Sequence, residues 1–376
     1  METISLARGV PAPECIPVEE LAECARAALR DDGASILSYG SPGGYAPLRR
    51  QLAEQHGVSA ERVVLTNGSL QGFALLAQVL AGDGERVLVE APTYDRPLKI
   101  LGSLGAEVVA IDCDDDGLDL DAVERELRSG SRPAFLYVIP TFQNPSGRTL
   151  SVERRRRLVE LAAEHDVLVL EDDPYGAVRF EGVAPPSLFD LDRGRTVAYS
   201  SSFSKTVAPG IRVGYLVLPE RLAHAVELAA ASTYITPSLV SQATVHEFLR
   251  RGHLERNLTL VRSLLCARRD ALVSALEDRL GGTGARWTRP EGGYFLWLDL
   301  PPGGNARALL HAAERAGVSF VAGPDFYPWA GGGRSAARLA YSYASPAQLA
   351  EAVGRLADLI APAPAAAVDL RQKHAA

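Results

Sequence analysis

Lys205 lies in the segment SSSFSKTVAPGIRVGY, Ser200 to Tyr215, and is one of three lysines among 39 basic residues. The other two, Lys99 and Lys373, sit in no comparable motif. In a chain so biased toward arginine, an amine kept at this point is kept for its chemistry. Lysine is the side chain that forms imines, and it becomes nucleophilic when its pKa is lowered. A primary amine in Ser/Gly-rich backbone, with Arg212 seven residues later, suits an imine to a phosphate-bearing aldehyde cofactor.

Other motifs admit two readings each. Asn144-Pro145, in YVIPTFQNPSG, is either an ordinary Asn-Pro turn or an amide that donates to a phenolate oxygen. Asp172 and Asp173, in LVLEDDPYG, are either solvated acids at a strand end or a carboxylate buried against a protonated ring nitrogen. Tyr175 is three residues on, within reach of the same ring's oxygen. In TNGSLQG the segment Gly68, Ser69 and Leu70 is a plain helix cap, or a helix N-terminus whose amides hold a phosphate. Tyr94, in EAPTYD, is a packed aromatic or a ring stacked on a cofactor. Arg212 is a surface cation or a phosphate partner.

These residues need elements to carry them. Short apolar runs alternate with helical patterns, which predicts an α/β core. The pattern gives a helix from Leu70 to Ala81, strands at Arg86 to Glu90 and Ala134 to Ile139, and a helix capped by Ser151 running to about His165 with an arginine-rich exposed face. Further strands follow at Val167 to Leu170, Thr196 to Ser200 and Arg212 to Leu218. The chemical motifs recur where strands end, which is where open α/β sheets bind ligands. From Leu222 onward the pattern is mostly helical, with strand-like stretches at Gly292 to Pro301 and Arg338 to Ser345. This predicts a smaller α+β domain. The Ala/Pro-rich tail after Ala361 reads as poorly ordered.

Composition narrows the classes. With 376 residues, 47% hydrophobic and 23% charged, the chain reads as a soluble globular protein of one large and one smaller domain. A formal net charge of −7 disfavours nucleic-acid binding. No apolar run approaches a membrane span, and METISLARGVPAPE has neither the basic nor the apolar region of a signal peptide. Cys15, Cys24, Cys113 and Cys266 are scattered without metal-binding spacing, and read as reduced thiols of a cytoplasmic protein.

Taken in order, the motifs resemble the pyridoxal-phosphate-dependent aminotransferases of fold type I, class I/II, from Ile4 to about Ser345. They are most similar to the 2-aminoadipate and kynurenine aminotransferase group, to which the effector domain of MocR-type regulators is related. SFSK, NPSG, EDDPY and ARLAYS carry the resemblance. It implies a mostly parallel, seven-stranded type of sheet flanked by helices in a large domain over 40–255. Residues 1–39 and 256–376 would form the small domain. Lys205 would bind the cofactor and move the substrate's proton, Asp172 pair with the ring nitrogen, and Asn144 and Tyr175 hydrogen-bond the ring oxygen. Tyr94 would stack on the ring, while Ser69, Leu70, Ser202, Ser204 and Arg212 hold the phosphate. Tyr39 would reach the phosphate of a neighbouring subunit in a homodimer. Arg338, with Asn144 and Gly9, would receive the substrate.

Three departures from the family pattern bear on the substrate. Leu70 stands where relatives often have glutamine, so its phosphate contact would be through the backbone. Arg8 stands where many have glycine, and is a candidate reader of a distal carboxylate. The chain begins almost at this motif, without the longer segment that helps relatives read the side chain. The resemblance implies transfer of an amino group between an L-amino acid and a 2-oxo acid in ping-pong half-reactions. Elimination, decarboxylation or oxidation on the same fold is the alternative. A MocR-like sensor is disfavoured, since no DNA-binding domain precedes Ile4.

Overall fold

The runs VVLT, RVLVEA, FLYV, VLED and GYLV are buried along nearly their whole length. Continuous burial is expected of strands covered by helices on both faces. The computed structural model describes residues 3–130 and 132–360. Lys373 and the tail after Ala361 lie outside the described residues.

After β1 (Ile4–Ser5) come the strands of the central sheet: β2 (Val63–Thr66), β3 (Arg86–Ala91), β4 (Glu107–Asp114), β5 (Gly117–Leu118), β6 (Phe135–Val138), β7 (Val169–Asp172), β8 (Val197–Ser202) and β9 (Gly214–Val217). Their order is β2-β9-β8-β7-β6-β3-β4-β5. The pairs from β4 through β8 are parallel, whereas β9 runs antiparallel to both β8 and β2. Seven strands match the expected sheet. The eighth, β5, is a two-residue hairpin return antiparallel to β4. Gly117, at φ +103°, and the Asp114 carboxylate accepting from the Asp116 amide at 2.8 Å make that tight turn.

A second sheet follows from β10 (Arg286–Trp287), β11 (Phe295–Asp299), β12 (Val318–Ser319), β13 (Val321–Ala322) and β14 (Ala336–Ala340). Its order is β10-β11-β14-β13, all antiparallel, while β12 pairs in parallel with β1. Two apolar cores fill the faces of the central sheet, and a third joins Ile4 and Leu6 to residues from Leu258 onward. Long helices at Glu220–Tyr234, Leu239–Arg250 and His253–Leu280 connect the sheets.

Three local expectations change. β7 runs two residues further than its apolar run, because Asp172 pairs in register with Ser200 of β8. Asp172 therefore lies in the sheet and is 9% exposed, while Asp173, just past the strand, is half-buried and accepts from the Gly176 amide at 2.8 Å and the Tyr199 hydroxyl at 3.2 Å, so neither is freely solvated. Helix Val152–Glu164 is capped by Ser151 as expected, its hydroxyl accepting from the Arg154 amide at 3.3 Å. Its arginines, however, do not all face water. Arg155 is 1% exposed and donates to the carbonyls of Leu150, Pro140 and Pro186 and to the Thr141 hydroxyl. Arg212 precedes β9 rather than starting it and adopts φ +52°, a left-handed conformation uncommon for a bulky residue.

Candidate active site

Parallel strands present their C-terminal ends at one edge, and the loops after β2, β3, β6, β7 and β8 carry the selected residues there. A cavity of about 450 Å³ opens at this edge. It is lined by Lys205, Asp172, Tyr175, Asn144, Tyr94, Ser69, Leu70, Ser202, Ser204, Arg212, Arg338 and Gly9. A cavity of about 520 Å³ between Arg148 and Trp287 contains none of them. Convergence of chemistry, not volume, locates the site.

The Lys205 amine donates to the Gly9 carbonyl at 2.7 Å and lies 5.3 and 5.8 Å from the ring centroids of Tyr294 and Tyr175. Burial, reinforced by the Arg338 and Arg212 guanidiniums, lowers its pKa to about 8; Asp172 opposes the shift. The Tyr294 hydroxyl donates to the Lys205 carbonyl at 3.0 Å and fixes the backbone that carries the amine. Asp172, the last residue of β7, accepts a 2.8 Å hydrogen bond from the Tyr137 hydroxyl on Oδ2. Its Oδ1 is buried with no hydrogen-bond partner. Burial raises the Asp172 carboxyl to about 7 in spite of that hydrogen bond.

Beside them is a pocket of donors. Gly68, at φ +91°, caps helix Ser69–Leu80. The Ser69 and Leu70 amides belong to the first turn, where N–H groups have no intrahelical acceptor. A Cβ on Gly68 would stand 2.3 Å from Arg212 Nη2, and one on Gly214 would stand 2.5 Å from the Ser69 nitrogen. Both positions therefore require glycine for the loops to close together. Arg212 donates to the carbonyls of Asn67 at 2.8 Å and Pro209 at 3.2 Å, and to the Ser204 hydroxyl at 3.3 Å. The Ser202 hydroxyl donates to that of Ser204 at 2.8 Å. Amides of a helix N-terminus, two hydroxyls and one guanidinium make a site for a small polyanion.

On the opposite wall Arg338 is 8% exposed. It donates to Asn144 Oδ1 and to the Ala7 carbonyl, each at 2.9 Å, while its Nε is buried without a partner. Its guanidinium carbon lies 4.1 Å from the ring centroid of Phe295 and 5.0 Å from that of Phe326. Burial lowers its pKa to about 10, so it stays a cation at neutral pH. A flat cation packed on two rings, with one donor free, is built to take a carboxylate.

Two selected residues lie elsewhere. Arg8 is exposed, and its guanidinium rests 4.8 Å over the Tyr343 ring rather than on the cavity wall. Tyr39 is 83% exposed and also lies off the cavity. Conversely, Tyr137, Tyr294, Phe295 and Phe326 were not selected from sequence. Each is an apolar or aromatic residue in a strand, helical turn or loop, and only its partner across the fold distinguishes it from core.

The family model described as aminotransferase class I and II matches residues 4–356. The 2-aminoadipate transaminase of Thermus thermophilus is 40% identical over 94% of this chain and 89% of that protein. The chain belongs to the class I and II aminotransferases. Aromatic-amino-acid aminotransferase 1 of Thermococcus litoralis is 35% identical, over 96% of this chain and 88% of that one. The α-aminoadipate aminotransferase of Thermus thermophilus, solved with N-(5′-phosphopyridoxyl)-L-leucine, superposes with a TM-score of 0.90 at 36% identity, covering 95% of this chain and 92% of that one. This aminotransferase depends on pyridoxal phosphate, and its cavity fits that group. The free Oδ1 of Asp172 suits a ring N–H, the donor pocket at Ser69 and Arg212 suits a phosphate, and a reactive amine stands close by.

Proposed function

We propose that this aminotransferase draws its chemistry from Lys205, Asp172, Tyr175 and Arg338. The cofactor, when bound, supplies an aldehyde to receive the substrate amine and a ring that draws electrons from the reacting carbon. Arg338 takes the α-carboxylate and, with Asn144 and the Gly9 backbone, orients the Cα–H bond. Lys205 would take the proton from that carbon and deliver it to the carbon that began as the cofactor's aldehyde. Its lowered pKa keeps part of it neutral near neutral pH, as a base must be. Asp172 would hold the ring nitrogen in its protonated form. Tyr175 and Asn144 would hydrogen-bond the ring oxygen, Tyr94 would pack against the ring, and Ser69, Leu70, Ser202, Ser204 and Arg212 would hold the phosphate. The carrying observation is the one free, buried carboxylate oxygen of Asp172 in a cavity shared with the perturbed amine.

The protein acts as a homodimer in this reading. Tyr39 is an aromatic side chain 83% exposed on its own subunit, as a residue serving a neighbour's site would be. The large unit spans 40–255, and residues 1–39 with 256–376 form the second. The core joining Ile4 and Leu6 to the C-terminal elements supports this division, with Phe142, Tyr175 and Val178 of the large unit packed into it. Helix Val18–Ile36 crosses it, since its Cys24 packs into the core of the central sheet. All four cysteines are unpaired, in keeping with a reducing cytoplasm. No described helix is long and apolar enough to cross a membrane.

The test is a half-reaction screen. Purified holoenzyme receives single amino acids without any oxo acid, beginning with 2-aminoadipate and aromatic amino acids, after the relatives' names. Formation of pyridoxamine phosphate with the matching 2-oxo acid is expected. Release of ammonia, carbon dioxide or peroxide instead would refute transamination.

A further inference from the structure

Asp172 is an awkward residue on which to rest a permanent charge. It is buried at the end of a central strand, and burial alone drives a carboxyl toward its neutral form. The groups around it pull in both directions. Asp173, next in sequence, repels its charge; Lys205, from the loop after β8, favours it, as does the nearby Ser200 hydroxyl of β8, which makes no hydrogen bond of its own. The hydroxyls of Tyr94 and Tyr175 are close enough to feel it. The largest effect opposing burial comes from Tyr137 of β6.

Tyr137 is fully buried, and its hydroxyl donates to Asp172 Oδ2 at 2.8 Å. Burial and the adjacent carboxylate push the phenol well above its ordinary pKa, so it remains a donor at any working pH. Its ring packs edge-on against Phe73, with centroids 5.1 Å apart, a contact phenylalanine would keep. One Asp172 oxygen is thus occupied by a fixed donor, and the other, Oδ1, is left as the free acceptor.

We infer that Tyr137 is a positioning residue for the reaction, its hydroxyl holding Asp172 charged and oriented with one oxygen open to the cofactor's ring nitrogen. The inference rests on the reading that Asp172 holds that nitrogen. Tyr137 itself touches neither cofactor nor substrate; it acts through the carboxylate. Loss of a hydrogen bond to a charged acceptor weakens the dependent interaction about tenfold or more. It also raises the pH at which Asp172 becomes protonated, because the bond favours the charged form.

The experiment compares wild type, Tyr137→Phe, Asp172→Asn and the double variant. Each holoenzyme is dialysed against graded free pyridoxal phosphate over a range of pH, with thermal melting as a check on folding. Tyr137→Phe should weaken cofactor retention about tenfold or more at neutral pH and move the acid-side loss of affinity to higher pH. It should lower kcat with KM for the amino acid little changed, since Arg338 and Asn144 are untouched. On the Asp172→Asn background it should cause no further loss. Unchanged affinity and pH dependence in Tyr137→Phe, or an equal further loss in the double variant, overturns the inference. If Asp172→Asn alone leaves retention unchanged, the ring-nitrogen reading fails and the inference falls with it.

Discussion

Lys205 is proposed as both nucleophile and proton carrier, and its surroundings set when it can do either. Burial and two guanidiniums bring its pKa to about 8. The neutral amine attacks, so cofactor-free protein should capture pyridoxal phosphate faster as pH rises, levelling off above about 8. Stopped-flow absorbance gives the profile; a rate still climbing toward pH ~10, where an ordinary lysine titrates, would mean the amine is unperturbed. Arg338 poses a different demand, because every amino acid carries the carboxylate it is proposed to bind. Arg338→Ala should raise KM for all substrates alike, by about 1.5–3 kcal/mol in apparent binding. Arg338→Lys should not restore it, since an ammonium cannot pack its face on Phe295 and Phe326 or offer two donors in one plane. Steady-state kinetics over acidic, aromatic and basic amino acids decides, and a KM change confined to one class would contradict the role.

Elements hold these residues at fixed distances, and helix Val152–Glu164 shows what that requires. Arg155 crosses from this helix to four backbone or hydroxyl acceptors around the loop that leads to Asn144. It also lies 3.7 Å from Glu171, which takes the Leu188 and Phe189 amides. Burial lowers the Arg155 pKa and raises that of Glu171 to about 8, so desolvation outweighs their attraction. The contribution of Arg155 is then chiefly the acceptors it satisfies. Arg155→Ala should strip these acceptors of its guanidinium and leave the buried Glu171 with its two amide donors but no countercharge, at a cost of about 3–5 kcal/mol. Chemical denaturation would measure it; a loss below about 1 kcal/mol would place water, not the guanidinium, as their effective partner. The cap of this helix was legible in Ser151. The inward turn of Arg155 was not, since its neighbours Arg154, Arg156 and Arg157 read alike in the sequence.

At the scale of the whole molecule, the exposed Tyr39 suggests that a subunit does not complete its own site. Mixing two defective variants tests this directly. Lys205→Ala lacks the amine; Tyr39→Ala lacks the residue proposed to reach across. In a mixed dimer one site combines an intact Lys205 with an intact Tyr39 from the partner, and the other site lacks both. Subunit exchange between the two variants should therefore restore activity well above the sum of the separate proteins, while light scattering reports a dimer. No gain on exchange would mean that Tyr39 serves its own chain or that no dimer forms.

The sequence by itself determined the family and its chemistry, and marked the candidate carriers: a rare lysine, an acid pair, an Asn-Pro turn and a glycine-started helix, each at a strand end. Such signals are local, because a turn, a cap or a reactive side chain is specified within a few residues. The family resemblance implied a seven-stranded sheet, but the residue pattern located only five of its strands and left β2, β4 and the two-residue β5 unread. Tertiary structure decided what each side chain meets. Tyr137 and Asp172 are 35 residues apart, and Arg338 and Asn144 are 194 apart. Only the pairing of β6 with β7, and the packing of the second sheet over the first, bring them within hydrogen-bond distance. The same holds for Arg8, whose exposed position over Tyr343 no local pattern encodes. Register and packing are properties of the assembled core, where burial of hundreds of apolar atoms outweighs any one residue's preference.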